Sequence, residues 1–154
     1  MRYIDKILQP GETVLFYGRL HWILYAPGFA LLAVAVVFLG LAARAQSGMI
    51  VSVLLVAAVV SAVAAGAAIL SAWFRRWTTE LDVTDRRIVH KRGFITRHTI
   101  EINMDKIESV DVDQSILGRI LDYGDITIRG TGTGWDPIRT IRAPLRFRNH
   151  VTAR

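Results

Sequence analysis

Two long apolar segments dominate the first half of the chain: WILYAPGFALLAVAVVFLGLAA at residues 22–43 and MIVSVLLVAAVVSAVAAGAAILSAWF at residues 49–74. Across both segments and the turn between them, the only charged residue is Arg44. As an α-helix, each segment would extend over about 30 Å or more, which is enough to cross the hydrocarbon core of a bilayer. The segment at 44–48 leaves room only for a tight turn. We therefore predict two transmembrane helices that form a hairpin.

The composition of the whole chain agrees with a membrane protein. Of its 154 residues, 52% are hydrophobic, yet charged residues recur every few positions from Arg75 onward. A single soluble core of this size does not need two long uncharged helices. Cysteine is absent, which excludes disulfides and thiolate metal sites. The net charge of +6 is compatible with nucleic acid or with anionic lipid headgroups as a partner.

Positively charged residues outside the hairpin predict its orientation. They are Arg2, Lys6 and Arg19 before the first segment, and Arg75 and Arg76 after the second. Because positive residues stay on the cytoplasmic side, the N-terminal segment 1–21 and the C-terminal half are expected in the cytoplasm, and the turn at 44–48 outside. Trp22 and Trp77 suit interfacial anchors. We predict a multi-pass protein of the bacterial cytoplasmic (inner) membrane, with both termini in the cytoplasm.

Small residues in the second segment indicate close helix packing. They recur every four positions in two rows, Ala57, Ser61 and Ala65, and Ala58, Ala62 and Gly66. Such rows let two helices approach closely. The expected partner is the first segment of the same chain, and dimerisation is the alternative. Neither segment has an ionisable residue inside it, so the sequence offers no carriers for a proton or ion path.

From Trp77 onward, apolar residues alternate with polar ones, which is the pattern of half-buried strands. The predicted strands are TTELDVT, RIVHKR, RHTIEI, IESVDVD, DITIR and IRTIRA. Their spacing of about ten residues favours an antiparallel sandwich or a small barrel. SILGRILDYG, at residues 115–124, has apolar residues at helical spacing and is predicted as a short helix.

The stretch VTDRRIVHKRGFITRHTIEINMDKIESVDVDQSILGRILDYGDITIRG, at residues 83–130, resembles the bacterial PH-like domains of the YdbS/YdbT type, often called bPH2. The matching positions are Thr84, Arg86, Arg87, Gly93, Asp105, Lys106, Ile107, Ser109, Val110, Leu117, Gly118, Arg119, Tyr123, Gly124 and Asp125. LQPGETVLFYGRLHWILY, at residues 8–25, is similar to the lead-in of membrane-anchored members. The resemblance implies a PH-like β-barrel at residues 77–151, normally closed by a C-terminal helix.

The predicted fold is thus a membrane α-helical hairpin, made of two transmembrane helices, followed by a mainly-β PH-like barrel with a short C-terminal helix. Only PLRFRNHVTAR follows the last predicted strand, which is enough for two or three helical turns. Whether so short a helix closes the barrel alone or with a partner's help is left open.

Basic residues close to the end of the second segment are candidates for binding lipids or partners. They are Arg75, Arg76, Arg86, Arg87, Lys91, Arg92 and Arg97. Anionic lipids of the inner leaflet would attract each by about 1 kcal/mol if it lies near the surface. The alternative is that these residues only satisfy the positive-inside rule. Eukaryotic PH domains hold phosphoinositides with a basic pair spaced by one residue, and the strand at 87–92 lacks that spacing, so headgroup specificity is not expected.

The stretch IRGTGTGWDP, at residues 128–137, has three glycines spaced by two. A dinucleotide-binding loop would read G-x-G-x-x-G and lead into a helix whose N-terminus meets the phosphate. Here the glycines lead towards another strand, so we predict a hairpin turn between two late strands. Trp135 in this loop is a candidate contact with lipid headgroups or a partner.

The sequence predicts no catalytic site, no metal site and no cofactor. His90 and His98 are predicted on adjacent strands, but no third candidate ligand lies at a spacing typical of metal sites. No serine lies in the G-x-S-x-G or S-x-x-K motifs of known serine nucleophiles. Acidic residues are interspersed with the basic ones, and no stacking aromatic face is present, so nucleic acid is not expected as a partner.

The predicted function is that of a non-enzymatic, membrane-anchored binding or scaffold protein. It would oligomerise with itself or act as an accessory subunit of an inner-membrane complex. Two alternatives remain: a module that senses anionic lipids with its arginine cluster, and a non-catalytic subunit of a membrane enzyme.

Overall fold

The chain folds into two compact units. A computed structural model describes residues 3–93, 98–131, 133–134 and 137–152. Residues 22–75 form the helical unit, and the residues before and after them together form the sheet unit.

The described residues form five α-helices and eight β-strands. The helices are α1 (Ile4–Ile7), α2 (Ala26–Ala42), α3 (Gly48–Thr78), α4 (Ile116–Leu121) and α5 (Pro144–Thr152), with 3-10 turns at Trp22–Tyr25 and Met104–Lys106. The strands are β1 (Val14–Gly18), β2 (Glu80–Thr84), β3 (Arg87–Arg92), β4 (His98–Asn103), β5 (Ile107–Asp113), β6 (Tyr123–Gly130), β7 (Thr133–Gly134) and β8 (Ile138–Arg142). One antiparallel sheet has the order β1-β2-β3-β4, and in the other β6 pairs with β5, β7 and β8.

The first strand of the sheet unit comes from the segment that precedes both apolar helices. β1 pairs antiparallel with β2, and Gly18 lies opposite Leu81. The predicted boundary of the β-domain at residue 77 therefore leaves out one strand, and the segment 1–21 belongs to the same compact unit. Sequence alternation did not reveal β1, because its burial alternates over only five residues and includes a glycine at its end.

The core of the sheet unit lies between the two sheets and α5. Phe147 of α5 is fully buried, together with Leu81, Ile88 and Ile126. α5 contacts β1 and β2 of the first sheet and β5 and β6 of the second. The ring of Phe147 meets that of Phe16 edge to face, with the centroids 6.0 Å apart. The short C-terminal helix therefore reaches strands of both sheets and fills the core between them.

The helical unit consists of two helices that are long and apolar enough, by length and composition, to cross a membrane: Trp22–Ala42 and Gly48–Thr78. Only 11% of the most apolar window of each helix is buried. Large apolar side chains such as Val36 and Val63 are instead exposed on the outside of the pair. The core helix of a soluble protein would be mostly buried, so these helices are not of that kind.

Small residues form the contact between the two apolar helices. Buried positions recur every seven residues in both, at Gly28, Ala35 and Ala42 in α2 and at Ala58, Ala65 and Ala72 in α3. A Cβ atom added at Gly28 would lie 2.5 Å from Cγ1 of Ile69. The contact at Gly28 agrees with the expected packing within one chain, and of the two predicted rows the first, Ala57, Ser61 and Ala65, is half-buried or buried. In the second of those rows, Ala62 and Gly66 are exposed.

Candidate binding surface

Both connections between the sheet unit and the apolar helices leave from the same end of the first sheet. We call this end the junction and define it as residues 19–21 and 76–80. The end of β1 lies beside the start of β2 in the antiparallel pair. Beyond β1, Leu20 forms a bridge with Ile141 of β8, and the His21 amide donates to the Thr140 carbonyl at 2.8 Å. The residues that enter the first apolar helix are thus hydrogen-bonded to the second sheet.

The predicted basic cluster does not form one patch. β3 runs from Arg87 to Arg92, and at about 3.3 Å per residue its ends are about 17 Å apart. Lys91 lies opposite Glu80, so the end of β3 with Lys91 and Arg92 is the end at the junction. Arg86 and Arg87 lie at the other end of the hairpin. Residues close in sequence are separated here because the strand between them is extended.

Arg87 is bound inside the sheet unit. Its guanidinium group donates to both carboxylate oxygens of Glu12, at 3.0 and 2.9 Å, to the carbonyl of Ile7 at 2.7 Å, and to the carboxylate of Glu101 at 2.9 Å. The Glu12 side chain is fully buried. The predicted role of Arg87 in binding lipid or partners does not fit this arrangement, since all of these donor contacts are internal.

The charges at this ion pair reinforce each other. Burial raises the pKa of Glu12, but hydrogen bonds from the Gln9 amide, from Thr84 and from Arg87, together with the Arg87 charge, lower it further than burial raises it. Burial lowers the pKa of Arg87, and its pairing with Glu12 and Glu101 more than offsets this. Both groups therefore stay ionised in the folded chain over a wider pH range than when free in water.

Lys91 also forms contacts within the sheet unit. Its ammonium group lies 3.7 Å from the carboxylate of Glu80 and 4.9 Å from the centroid of the Tyr3 ring. The backbone amide of Tyr3 donates to the same glutamate at 2.8 Å. Lys91 thus helps to hold the N-terminal residues against the first sheet.

The remaining predicted basic residues differ in their surroundings. Arg75, Arg76, Arg86 and Arg92 are exposed. Arg97 and Trp135 lie outside the described residues, so their predicted roles stay predictions. Of these predicted residues, Arg76, Lys91 and Arg92 lie at the junction, and Arg75 directly precedes it.

His90 and His98 are on adjacent strands, as expected, but not opposite each other. His90 lies opposite Ile100, and His98 lies opposite Arg92. Burial, and then the charges of Arg92 and His98, lower the pKa of His90 to about 4. Within the part of the chain that the structure describes, no group of three or more histidine, cysteine or acidic side chains could hold a metal ion.

The described residues of the stretch with three glycines form part of an antiparallel pair. Gly130 at the end of β6 lies opposite Thr133 of β7. Further along, β8 pairs with the first half of β6, opposite Tyr123 to Ile126. This arrangement agrees with the predicted turn between late strands, and the next described element is the strand β8.

An exposed apolar surface on α4 was not among the predicted sites. Ile116, Leu117 and Ile120 are exposed by 79%, 63% and 73%, and Leu121 by 36%. The available signal in the sequence was four aliphatic residues around a glycine in SILGRILDYG. It predicted a helix, but it could not tell whether the aliphatic face points into the core or outward.

Comparison with known proteins agrees with this architecture. The family model described as "Bacterial PH domain" matches residues 22–154. No curated protein and no solved structure matches the chain. The family match covers most of the chain, including the two apolar helices and every strand after β1. The chain therefore belongs to the bacterial PH domain family, whose PH-like fold is typical of non-catalytic binding modules.

Proposed function

We propose that this protein is a membrane-anchored, non-catalytic binding module of the bacterial inner membrane. In this proposal the two apolar helices cross the bilayer as a hairpin, and the sheet unit lies at the cytoplasmic face. There it serves as a scaffold, either by assembling with further copies or as an accessory subunit of a membrane complex. A membrane enzyme whose active site belongs to another chain is one such complex.

Support for the membrane anchor comes from the exposed apolar side chains around α2 and α3. Leaving them in water would be costly, since each fully buried aliphatic side chain gains about 1.5–3 kcal/mol. The charged residues that flank the pair, Arg19 before it and Arg75 and Arg76 after it, have the sign expected on the cytoplasmic side.

One observation carries the scaffold proposal: the sheet unit is built from chain on both sides of the apolar helices. β1 precedes them, β2 follows them, and the two strands are hydrogen-bonded neighbours. A domain joined to its anchor by one flexible linker could tumble freely. A domain joined to its anchor at two neighbouring strands is held by two chain segments instead of one, which suits a docking platform at a membrane surface.

The proposal is tested by the mass of the assembly that the full chain forms in mild detergents. Multi-angle light scattering of the purified protein, with identification of any co-purified subunit, should give a mass above that of one 17.2 kDa chain and its micelle. A chain that is monomeric and alone in every detergent tried contradicts the scaffold proposal.

A second candidate function is recognition of anionic lipid by the basic residues at the junction. The observation in its favour is that Arg92 is exposed at the same end of the first sheet from which the apolar helices leave. In nanodiscs of mixed phosphatidylglycerol and phosphatidylcholine, Arg92→Glu should reduce the retained phosphatidylglycerol. The matched variant Arg86→Glu, at the far end of the hairpin, should not. Equal lipid retention by both variants would count against lipid recognition.

A further inference from the structure

α4 is held firmly although it has only six residues. The Ser115 hydroxyl accepts a hydrogen bond from the Gly118 amide at 3.0 Å, and Asp122 ends the helix in the left-handed conformation with φ 57°. The Gln114 side-chain amide donates to the carbonyl of Tyr123 at 3.0 Å. An isolated helix this short would not be stable in water, so these contacts fix it on the β5–β6 connection.

The faces of α4 are reversed compared with a helix that packs on a core. Its buried residue is Gly118, where an added Cβ would lie 2.6 Å from the Tyr123 carbonyl oxygen. Ile116 and Ile120 lie two positions to either side of Gly118, which is about 200° around the helix. Their side chains, with that of Leu117, therefore point away from the sheet unit and are largely exposed.

The C-terminal end of α4 lies next to the junction. The ring of Tyr123, directly after the helix cap, stacks on the ring of His21 with the centroids 5.1 Å apart. His21 is followed by Trp22, where the first apolar segment begins. Within the sheet unit, the last residue before this segment thus contacts the residue that follows the cap of α4.

The charges around the face suit an anionic surface. Arg119 of α4 is exposed, and Arg142 lies opposite Tyr123 in the β6–β8 pair. The charges of Arg142 and Arg76 act on His21. The acidic residues near the helix are Asp122 at its cap and Asp113 and Asp125, which lie opposite each other in the β5–β6 pair. An apolar helix face flanked by arginine is typical of helices that lie in the headgroup layer of a bilayer.

We propose that α4 is a second membrane contact of this protein. Ile116, Leu117 and Ile120 enter the boundary between headgroups and acyl chains of the bilayer that the two apolar helices cross. Arg119 stays at the level of the lipid phosphates. This inference rests on the proposed membrane anchor, and it gives the sheet unit a third point of attachment beside the two chain connections.

Depth-dependent quenching of single fluorophores tests the proposal. Because the chain has no cysteine, Ile120→Cys can be labelled with an environment-sensitive dye in the full chain, reconstituted in vesicles of phosphatidylglycerol and phosphatidylcholine. We expect a blue-shifted emission and at least a two-fold loss of intensity with lipids that carry a spin label near the headgroup. Leu117→Cys should behave in the same way, which guards against a local effect of one substitution.

Two matched labels separate the possible outcomes. Val36→Cys, exposed on α2, should be quenched by a spin label deep in the acyl chains. Lys106→Cys, at the opposite end of β5 from α4, should emit as in water. If the label at Val36 is quenched and those at positions 117 and 120 are not, α4 does not touch the bilayer, while the anchor stands. If none is quenched, both proposals are contradicted. Emission at position 120 that shifts only as protein density rises, without lipid quenching, would mean that a second copy covers α4, which also overturns the inference.

Discussion

Arg87 joins three separate parts of the sheet unit through one guanidinium group. It binds the carbonyl of Ile7 in α1, the carboxylate of Glu12 before β1, and the carboxylate of Glu101 in β4. Thr84 completes the arrangement, because its hydroxyl donates to Glu12 and accepts from the amide of Arg87. The segment that precedes the apolar helices is thereby fixed to the strands that follow them.

Replacing Arg87 by alanine should destabilise the sheet unit by about 3–5 kcal/mol, because it leaves the buried carboxylate of Glu12 without its partner. The neighbouring and exposed Arg86 is a matched control, and Arg86→Ala should change the free energy of unfolding by no more than about 0.5 kcal/mol. The midpoint of denaturant unfolding in a fixed detergent, followed by circular dichroism, measures both. Equal midpoints for the two variants would contradict this role of Arg87.

His90 should make the stability of the sheet unit depend on pH. Its pKa falls from 6.5 to about 4 on folding, chiefly because it is buried. Since the unfolded chain then binds this proton more readily than the folded chain, the free energy of unfolding should drop as the pH falls from about 6.5 to 4, by up to about 3 kcal/mol. Across this range, the unfolding midpoint should depend less steeply on pH in His90→Gln than in the natural sequence, whereas His98→Gln, which removes only the smallest cause of the shift, should change that dependence less. An unchanged slope in His90→Gln would refute the assignment.

At the scale of helices, the contact between α2 and α3 depends on glycine and alanine at every seventh position. A period of seven is slightly shorter than two turns of a straight helix, so it predicts a left-handed crossing. Close approach brings the backbone of α2 at Gly28 to that of α3 at Ala65 and Ile69. Packing at this distance stabilises helix pairs in a membrane, where the hydrophobic effect does not.

A larger residue at Gly28 should separate the two helices. Its Cβ would lie 3.3 Å from the carbonyl oxygen of Ala65 and still closer to atoms of Ile69, so Gly28→Leu should cost about 1–3 kcal/mol. Gly40 lies in the same helix, but an added Cβ there meets nothing within 4 Å. Gly40→Leu should therefore leave the thermal midpoint in detergent unchanged, while Gly28→Leu lowers it. A thermal midpoint that falls in Gly40→Leu but not in Gly28→Leu would show that the helices pair along another face.

The elements differ in how far the sequence could predict them. Alternation of apolar and polar residues over β2 to β6 and β8 identified those strands, because the pattern is local; it did so even in β2, where four consecutive residues are buried. Arg87 and Glu12 are 75 positions apart, so nothing local could show that they pair. For α4, the spacing of apolar residues predicted a helix, but its outward face follows from the close contact of Gly118 with the chain at Tyr123, which appears only in the fold.

At the scale of the whole molecule, the apolar hairpin is an insertion between the first two strands of the sheet unit. β1 supplies both an edge of the first sheet and Phe16, whose ring contacts Phe147 and lies 5.2 Å from the ring of His150. The hairpin can therefore not be removed by truncation without also removing part of the core.

Two shortened chains should behave differently. A chain in which a flexible glycine-serine linker replaces residues 22–75 keeps β1, and it should give a dispersed two-dimensional NMR spectrum in mild detergent. A chain that starts at Trp77 loses β1 and the Phe16 contact, so it should aggregate or give a collapsed spectrum. A well-folded chain from Trp77 onward would mean that β1 is dispensable.

The most direct test of the central claim, that a membrane hairpin holds a PH-like sheet unit at the cytoplasmic face, is thiol accessibility in whole cells. Single-cysteine variants at Ser47, in the turn between the helices, and at Lys106, in the sheet unit, would be treated with a membrane-impermeant maleimide. We predict that Ser47→Cys is labelled in intact spheroplasts and that Lys106→Cys is labelled only after the inner membrane is opened. Labelling of Lys106→Cys in intact spheroplasts, or labelling of Ser47→Cys only after opening, would contradict this account.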